Sequence, residues 1–261
     1  MPSITHFDIY KPAEPCTLTG DKLQEAMKKV VGETLSEDGK ELSLKGYCVG
    51  QNGMTIITRD ERVAKVRRLN LGGNRIGDLG VQLLAEAELF SKVNWIELGG
   101  NDIGPEGVRH LIRSKVLQKV KSLNLYRNSI KDEGAKIMAR DNKLEKLEDL
   151  DLAQNEIGDE GIMAIAESPN LTGLKKLYLC SNKMGDAGAI ALAKSENLKK
   201  LSVLSIWRNE IRDKGGQAIA ESQNFMNLKR LYMSLNLIER PVRKIIRGSE
   251  LAKRLTTLVM D

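Results

Sequence analysis

Apolar and polar residues alternate in short stretches that recur at a constant interval along most of this chain. The stretch VRRLNLGGNRIGDLG begins at Val66, and similar stretches begin at 93, 120, 147, 174, 201 and 228, always 27 residues apart. Within each stretch, the alternation of leucine with outward residues predicts a short strand that has one buried face. The apolar segment that follows, such as AIALA from Ala189, predicts a helix.

The same register extends beyond these seven copies in both directions. A partial copy, LTTLVMD, begins at Leu255 and predicts one last strand. A degenerate copy occupies about 39–65. Before it, DKLQEAMKKVVGETL has the apolar spacing of a helix. We therefore expect an N-terminal segment and helical cap over 1–38, a degenerate repeat over 39–65, and seven regular repeats plus a final capping strand over 66–261.

The recurring pattern LxxLxLxxNxI, followed by segments such as GDEGIMAIAES from Gly158, resembles the leucine-rich-repeat family and, within it, the ribonuclease-inhibitor-like subclass. The resemblance covers roughly residues 39–261. It implies an α/β solenoid, a horseshoe with a concave parallel β-sheet and convex helices. Stacking wide helices outside narrow strands is expected to curve the array.

Three polar or small residue types recur with the repeat, and each has a structural interpretation. An asparagine amide can satisfy backbone groups where the chain leaves each strand. An aspartate before each helix is predicted to be its N-cap, and a glycine two residues later to permit close packing of helix on strand. These residues are Asn74, Asn101, Asn128, Asn155, Asn182, Asn209, Asn236, Asp78, Asp132, Asp159, Asp186, Asp213, Gly80, Gly134, Gly161, Gly188 and Gly215.

The register also predicts which side chains face the hollow. When the first apolar residue of a repeat is position one, positions three, five and seven face outward from the core, and position eight lies at the rim. Five of the chain's ten aromatic residues, including both tryptophans, fall on this surface. The candidate binding residues are Arg68, Trp95, Glu97, Tyr126, Arg127, Asp149, Asp151, Lys176, Tyr178, Trp207, Arg208, Arg230 and Tyr232.

Two interpretations of this surface remain open. Tyrosine, tryptophan and arginine are enriched at binding hot spots, so the set favours a protein partner. Alternatively, the aromatic rings shield strand backbones through cross-strand contacts. Charge is sorted along the surface, with Glu97, Asp149 and Asp151 acidic in the middle and Lys176, Arg208 and Arg230 basic towards the C-terminal half.

Composition and charge limit the cellular location and the kinds of partner that the sequence predicts. Residues 201–261 carry eleven Lys or Arg against six Asp or Glu, a net charge of +5, while the net charge of the entire chain is +6. This basic end is interpreted as a solvated capping unit, and binding to an anionic membrane or nucleic acid is the alternative. The chain has no apolar run long enough to span a membrane, no conventional secretory signal, and three widely separated cysteines. A cytoplasmic protein is expected, with non-classical export left open.

Little in the sequence indicates catalysis. We expect no cofactor and no metal, because no metal-ligand spacing is present and the Asp149–Asp151 pair has no third ligand in the neighbouring copies. His110 is expected to be packed or half-exposed, His6 lies in an N-terminal stretch without a pattern, and Cys180, expected on the concave face, has no base near it in sequence.

The leading prediction is therefore a non-enzymatic module, monomeric, that holds a protein partner in its concave face and binds no nucleic acid. The family it resembles includes the ribonuclease inhibitor, which grips its target in this way, and effector proteins and receptors. The alternative is a regulatory protein similar to Ran GTPase-activating proteins, although this chain has a basic end where those proteins carry an acidic tail. A scaffold or effector protein is a third possibility.

Overall fold

The structure, a computed structural model, describes residues 18–261. Within them, nine strands of three residues each form one sheet, in which every strand is parallel to its neighbours and adjacent to the next strand in sequence. The strands are β1 Glu41–Ser43, β2 Arg68–Asn70, β3 Trp95–Glu97, β4 Ser122–Asn124, β5 Asp149–Asp151, β6 Lys176–Tyr178, β7 Val203–Ser205, β8 Arg230–Tyr232 and β9 Thr257–Val259.

Helices alternate with the strands and pack against one another in chain order. Short 3-10 turns at Glu61–Lys65 and Glu88–Phe90 supplement them. The helices are α1 Gly20–Thr34, α2 Gly50–Ile57, α3 Gly77–Glu86, α4 Pro105–Ile112, α5 Lys131–Asp141, α6 Asp159–Glu167, α7 Asp186–Lys194, α8 Asp213–Glu221, α9 Arg240–Gly248 and α10 Glu250–Arg254.

The sheet keeps the register of the repeat. Leu69 pairs with Ile96, and the same pairing of residues 27 apart continues through every strand. The inward leucines Leu150, Leu177 and Leu204 are fully buried, together with the inward faces of the helices. One continuous apolar core therefore runs between the sheet and the helix layer, and the predicted leucine-rich-repeat solenoid is confirmed.

The asparagine ladder has the structural role that the sequence predicts. The Asn101 amide donates to the carbonyl oxygens of Leu71 and Leu98, at 2.9 Å each. Its Oδ1 accepts a hydrogen bond of 3.0 Å from the backbone N–H of Asn74. Each amide thus joins two neighbouring repeats, where unpaired buried backbone groups would be costly.

The predicted N-cap role of the aspartates is wrong in one respect, because each carboxylate caps the helix of the following repeat. Asp132 is the second residue of α5, and its Oδ1 accepts from the backbone N–H groups of Gly158 and Gly161, at 2.7 and 3.0 Å. Gly158 is the N-cap residue of α6, which has no side-chain cap of its own. The free N–H groups at the start of one helix are therefore satisfied by the preceding repeat.

The predicted reason for the glycine that recurs in the helices, helix-to-strand packing, also needs correction. A Cβ at Gly161 would lie 2.6 Å from Asp132 Oδ1, 2.7 Å from Ile157 Cγ2 and 3.0 Å from Ala135 Cβ. The obstacles are thus the capping carboxylate, the loop before the helix and the preceding helix. Glycine permits helix-to-helix packing and the capping contact, and helix-to-strand packing is not what requires it.

Candidate functional site

The concave surface consists of the outward residues of nine strands and the residues that follow them. None of the thirteen predicted site residues is fully buried. Arg68, Arg127, Arg208 and Arg230 are exposed, and the other nine are half-buried. The structure brings these side chains to one face because the sheet is in register across all repeats.

Seven of the eight aromatic residues in the described chain lie either on this surface or in the core, and the eighth, Tyr47, is exposed in the degenerate repeat. The core encloses Phe90 and Phe225, which are almost completely buried. Of the eight aromatic residues in the described chain, five lie half-buried on the concave surface. These are Trp95, Tyr126, Tyr178, Trp207 and Tyr232.

Two contacts order the N-terminal part of the surface. The Arg68 guanidinium carbon lies 4.4 Å from the centre of the Trp95 ring, within the range of a cation–π interaction. Arg68 Nε also lies 3.4 Å from Glu41 Oε1 in the degenerate repeat. Glu41 therefore belongs to the surface, and so does Lys45, whose charge acts on Glu97. Both were missing from the predicted set, although the 27-residue register could have identified them.

The predicted sorting of charge is modified by an internal ion pair. Lys176 Nζ lies 2.7 Å from Asp149 Oδ2, one strand away. Lys176 therefore offsets the acidic middle and adds little to a basic half. Arg68 pairs with Glu41, so among the described residues the exposed cations of the predicted set without an ion pair are Arg127, Arg208 and Arg230.

Position-five side chains of β2 to β5 accept a hydrogen bond from the turn that follows the strand. Glu97 Oε1 accepts a hydrogen bond of 2.7 Å from the backbone N–H of Gly99. Asp151 Oδ1 accepts one of 2.9 Å from the backbone N–H of Ala153. Both carboxylates thus have a structural role in addition to facing the hollow.

Burial perturbs the same two carboxyl groups. Loss of solvation raises the pKa of Glu97 to about 7, and the negative charge of Asp151 contributes in the same direction. Loss of solvation raises the pKa of Asp151 to about 6, with a further contribution from the charge of Asp149. The middle of the concave surface therefore changes its charge near neutral pH.

Cys180 occupies the outward position on the concave face that the register predicts, but it is not accessible there. Its side chain is buried, with a relative exposure of 7%, and its sulfur lies 2.9 Å from Ser205 Oγ. Burial raises the pKa of the thiol to about 12. Val203 and Ser205 at outward positions are buried as well, so that alternation along a strand predicts direction but not exposure.

The rim has an unusual backbone. Position eight adopts the left-handed conformation in every regular repeat, with glycine in the first two and φ of 53° at Arg127 and 55° at Arg208. The left-handed conformation costs a non-glycine residue roughly 1 kcal/mol of conformational energy. The rim thus carries two arginines, together with Gln154, Ser181 and Leu235, at a position where glycine would be less strained.

Two arginines of α9 have hydrogen-bond partners at the end of the described chain. Arg247 Nη2 donates to the Met260 carbonyl oxygen at 2.7 Å, and Arg243 Nη1 donates to the Asp261 carbonyl oxygen. These guanidinium groups satisfy backbone oxygens beside β9, and the interpretation of this unit as a cap stays a prediction.

Further observations concern the histidines, groups of metal-ligating side chains and helix length. His110 is half-exposed on α4, as expected, while His6 and Cys16 lie outside the described residues. In residues 18–261, no three His, Cys, Asp or Glu side chains group in a way that could hold a metal ion. No helix in that range is long and apolar enough to cross a membrane.

Comparison with known proteins agrees with this architecture. The family described as "Leucine Rich repeat" matches residues 64–85, 96–111, 116–139, 143–166, 170–193 and 197–220. The chain therefore belongs to the leucine-rich-repeat family. No curated protein sequence matches it.

A solved structure shares the fold. The crystal structure of an internalin C2 from Listeria monocytogenes is similar with a TM-score of 0.58 and 24% sequence identity, over 92% of each chain. At this level of identity the likeness shows the fold alone. A protein-interaction module is the class of protein that family and fold together suggest.

Proposed function

We propose that this protein is a non-enzymatic interaction module that binds a protein partner on its concave surface. The observation that carries the proposal is the segregation of aromatic residues. Trp95, Tyr126, Tyr178, Trp207 and Tyr232 stay half-buried on this surface, while Phe90 and Phe225 fill the core. Half-buried aromatic rings offer large contact areas at a low cost in conformational entropy.

The arrangement of charge supports the same surface. Exposed Arg127 and Arg208 follow their strands at the rim and occupy strained backbone positions. Arginine with tyrosine and tryptophan is the typical composition of a binding hot spot. We propose Trp207 with Arg208 as the centre of the contact in the C-terminal half. We also propose that the protein belongs to the ribonuclease-inhibitor-like subclass, is a monomer and is located in the cytoplasm.

The competing explanation is that the aromatic rings only shield the strand backbones, and a capture experiment separates the two. Wild-type protein and a variant with alanine at Trp95, Tyr126, Trp207 and Tyr232 are immobilised, and bound proteins are quantified by mass spectrometry. A control variant carries Leu79→Ala and Met163→Ala, which remove exposed apolar side chains from helices. Far-ultraviolet circular dichroism verifies that each variant folds.

The proposal expects partners that are recovered with the wild type and the helix control and depleted at least tenfold with the concave variant. A loss of about 2 kcal/mol at a single hot spot already gives roughly a thirtyfold weaker affinity. Equal recovery of these partners by a folded concave variant would show that the aromatic residues only shield the strand backbones.

A further inference from the structure

A second surface feature is independent of the concave surface and lies at the edge of the sheet where the strands begin. We define the amino edge as three positions in each of eight repeats: the two residues before position one, and position two. Because the strands are parallel and in register, these loop residues follow one another along a single edge. Arg127 and Arg208 follow their strands and lie at the opposite edge.

Positive charge is concentrated at the amino edge. Its 24 residues include twelve Lys or Arg and two acidic residues, Glu145 and Glu148, so its net charge is +10 against +6 for the entire chain. All twelve cationic residues are exposed. They are Lys65, Arg67, Lys92, Lys119, Lys121, Lys146, Lys175, Lys199, Lys200, Lys229, Lys253 and Arg254.

This concentration exceeds what the composition of the chain provides. From 41 Lys and Arg in 261 residues, about four would be expected among 24 positions. Every one of the eight repeats contributes at least one cation. Nine of the twelve cations lie before residue 201, so the amino edge is a different feature from the basic last quarter of the chain.

Internal ion pairs neutralise only a minority of these cations. Lys175 lies 3.0 Å from Glu148, and Lys253 lies 2.6 Å from Glu250. Lys199 pairs with Glu196. In the part of the chain that the structure describes, the other nine form no ion pair within 4.0 Å.

The spacing and chemistry of the amino edge indicate a particular kind of anionic partner. Neighbouring strands lie about 4.8 Å apart, so eight repeats present a row of roughly 34 Å before curvature. Ten of the twelve cations are lysines, which act as point charges, while bidentate recognition of single phosphates favours arginine. Such a row suits an extended anionic surface better than one defined phosphate.

Nucleic acid fits the amino edge less well. Its 24 residues include no aromatic side chain, and unpaired bases bind proteins largely by stacking on aromatic rings. The edge consists of loops between helices and strands, and a duplex is normally recognised by an element that enters a groove. Lipid headgroups need neither feature, since each lysine near an anionic membrane contributes about 1 kcal/mol without a fixed geometry.

One large apolar side chain belongs to the same edge. Met226 is 65% exposed and lies between the cations of two repeats. An apolar residue among cations is typical of proteins that bind the membrane interface, where it reaches past the headgroups. We propose that the amino edge docks this protein edge-on to an anionic lipid bilayer, with the concave surface left open to a protein partner.

Sedimentation with lipid vesicles tests the proposal. The full chain is mixed with vesicles of phosphatidylcholine alone or with added phosphatidylserine, at about 0.05 M and 0.5 M salt, between which screening increases strongly. Binding is expected to the phosphatidylserine vesicles at low salt, and to be lost at high salt and with phosphatidylcholine alone. Absence of binding at low salt would overturn the proposal.

Matched variants separate a defined surface from net charge. Lys119→Gln, Lys121→Gln and Lys146→Gln remove three charges from the amino edge, and the control changes Lys131, Lys214 and Lys244, exposed elsewhere, to glutamine. At about 1 kcal/mol per lysine, the edge variant is expected to lose at least tenfold in vesicle partition, while the control stays within about threefold. Equal losses in both variants would overturn the proposal.

A nucleic acid arm completes the test. The same proteins are titrated with a short DNA duplex and with single-stranded RNA at the lower salt concentration. Binding to either that is tighter than to phosphatidylserine vesicles, and that is lost in the edge variant, would assign the amino edge to nucleic acid and would overturn the membrane assignment.

Discussion

The carboxylate of Asp159 accepts a hydrogen bond of 2.8 Å from the backbone N–H of Gly188, which lies 29 residues later in the next repeat. The same oxygen accepts a second bond of 2.8 Å from the backbone N–H of Gly185. The start of α7 is thus capped by α6, and the stability of one repeat depends on its predecessor. This dependence is the physical basis of nearest-neighbour coupling in a solenoid.

The contact predicts opposite outcomes for two glycine substitutions. Gly188→Ala should destabilise the protein, because the added Cβ would lie 2.8 Å from Asp159 Oδ1 and 2.9 Å from Met184 Cγ. This clash is expected to outweigh the gain of about 1 kcal/mol in helix propensity. Gly248→Ala at the end of α9 meets nothing within 4 Å and should be neutral or slightly stabilising. Urea unfolding of both variants measures the difference, and a stabilised Gly188→Ala protein would contradict the packing.

Removal of the capping carboxylate is a separate prediction. Asp159→Ala leaves two N–H groups at the start of α7 without their acceptor, so a loss of roughly 1 to 2 kcal/mol is expected. Asp159→Asn keeps an acceptor and should cost less. Amide hydrogen exchange should locate the loss at α7 rather than at α6; faster exchange confined to α6 would argue for a conventional N-cap.

The asparagine ladder predicts a dependence on position in the array. Asn155 is fully buried and donates to Leu125 and Ala153 carbonyl oxygens at 2.9 and 3.0 Å, whereas Asn236 in the last full repeat is half-buried. Asn155→Ala is expected to cost about 3 kcal/mol or more, since several buried backbone groups lose partners. Asn236→Ala should cost less, and equal losses in thermal or urea unfolding would be inconsistent with the role of burial.

The perturbed carboxyl groups predict a pH dependence of stability. Because the pKa of Glu97 rises from its ordinary value of 4.5 to about 7 in the folded protein, folding favours the protonated form. Its contribution is therefore most favourable below pH 4.5 and is lost as the pH rises through 7. Glu97→Gln should be more stable than the wild type at pH 8, by roughly 1 to 3 kcal/mol after allowance for solvent exposure, and not at pH 4.

Asp151→Asn should behave in the same direction, with the change centred near pH 6. Urea unfolding at pH 4, 6 and 8 checks both variants, and carbon-detected NMR titration of the carboxyl groups checks the pKa values directly. The amide oxygen of each variant can still accept the backbone hydrogen bond from Gly99 or Ala153. A difference from wild type that does not change with pH would contradict the burial of these carboxyl groups.

The burial of Cys180 predicts low thiol reactivity. With a relative exposure of 7% and a pKa raised to about 12, the thiol should resist alkylation in the native protein near pH 8 and react only after unfolding. The measurement uses a background with Cys16→Ser and Cys48→Ser. Arg208→Cys in the same background provides an exposed thiol at the rim as a positive control. Rapid labelling of native Cys180 at the rate of this control would refute the burial.

Local periodicity accounts for what the sequence by itself determined. The 27-residue interval identified the repeat, the strands, the inward leucines and the family resemblance, because side-chain direction in a strand depends only on position along it. The asparagine series was interpretable for the same reason. The thirteen candidate side chains were placed on the concave surface by register alone, although their binding role stays a proposal.

Tertiary structure decided what depends on contacts between repeats. The burial of Cys180, the pairing of Lys176 with Asp149, and the capping of one helix by the preceding aspartate all join residues about 25 to 29 positions apart. A periodic pattern states the direction of each side chain and not the neighbour that covers it. The amino edge likewise depends on the sheet, because the parallel, in-register strands place the loops of eight repeats in one row, whereas a single loop carries only one or two cations.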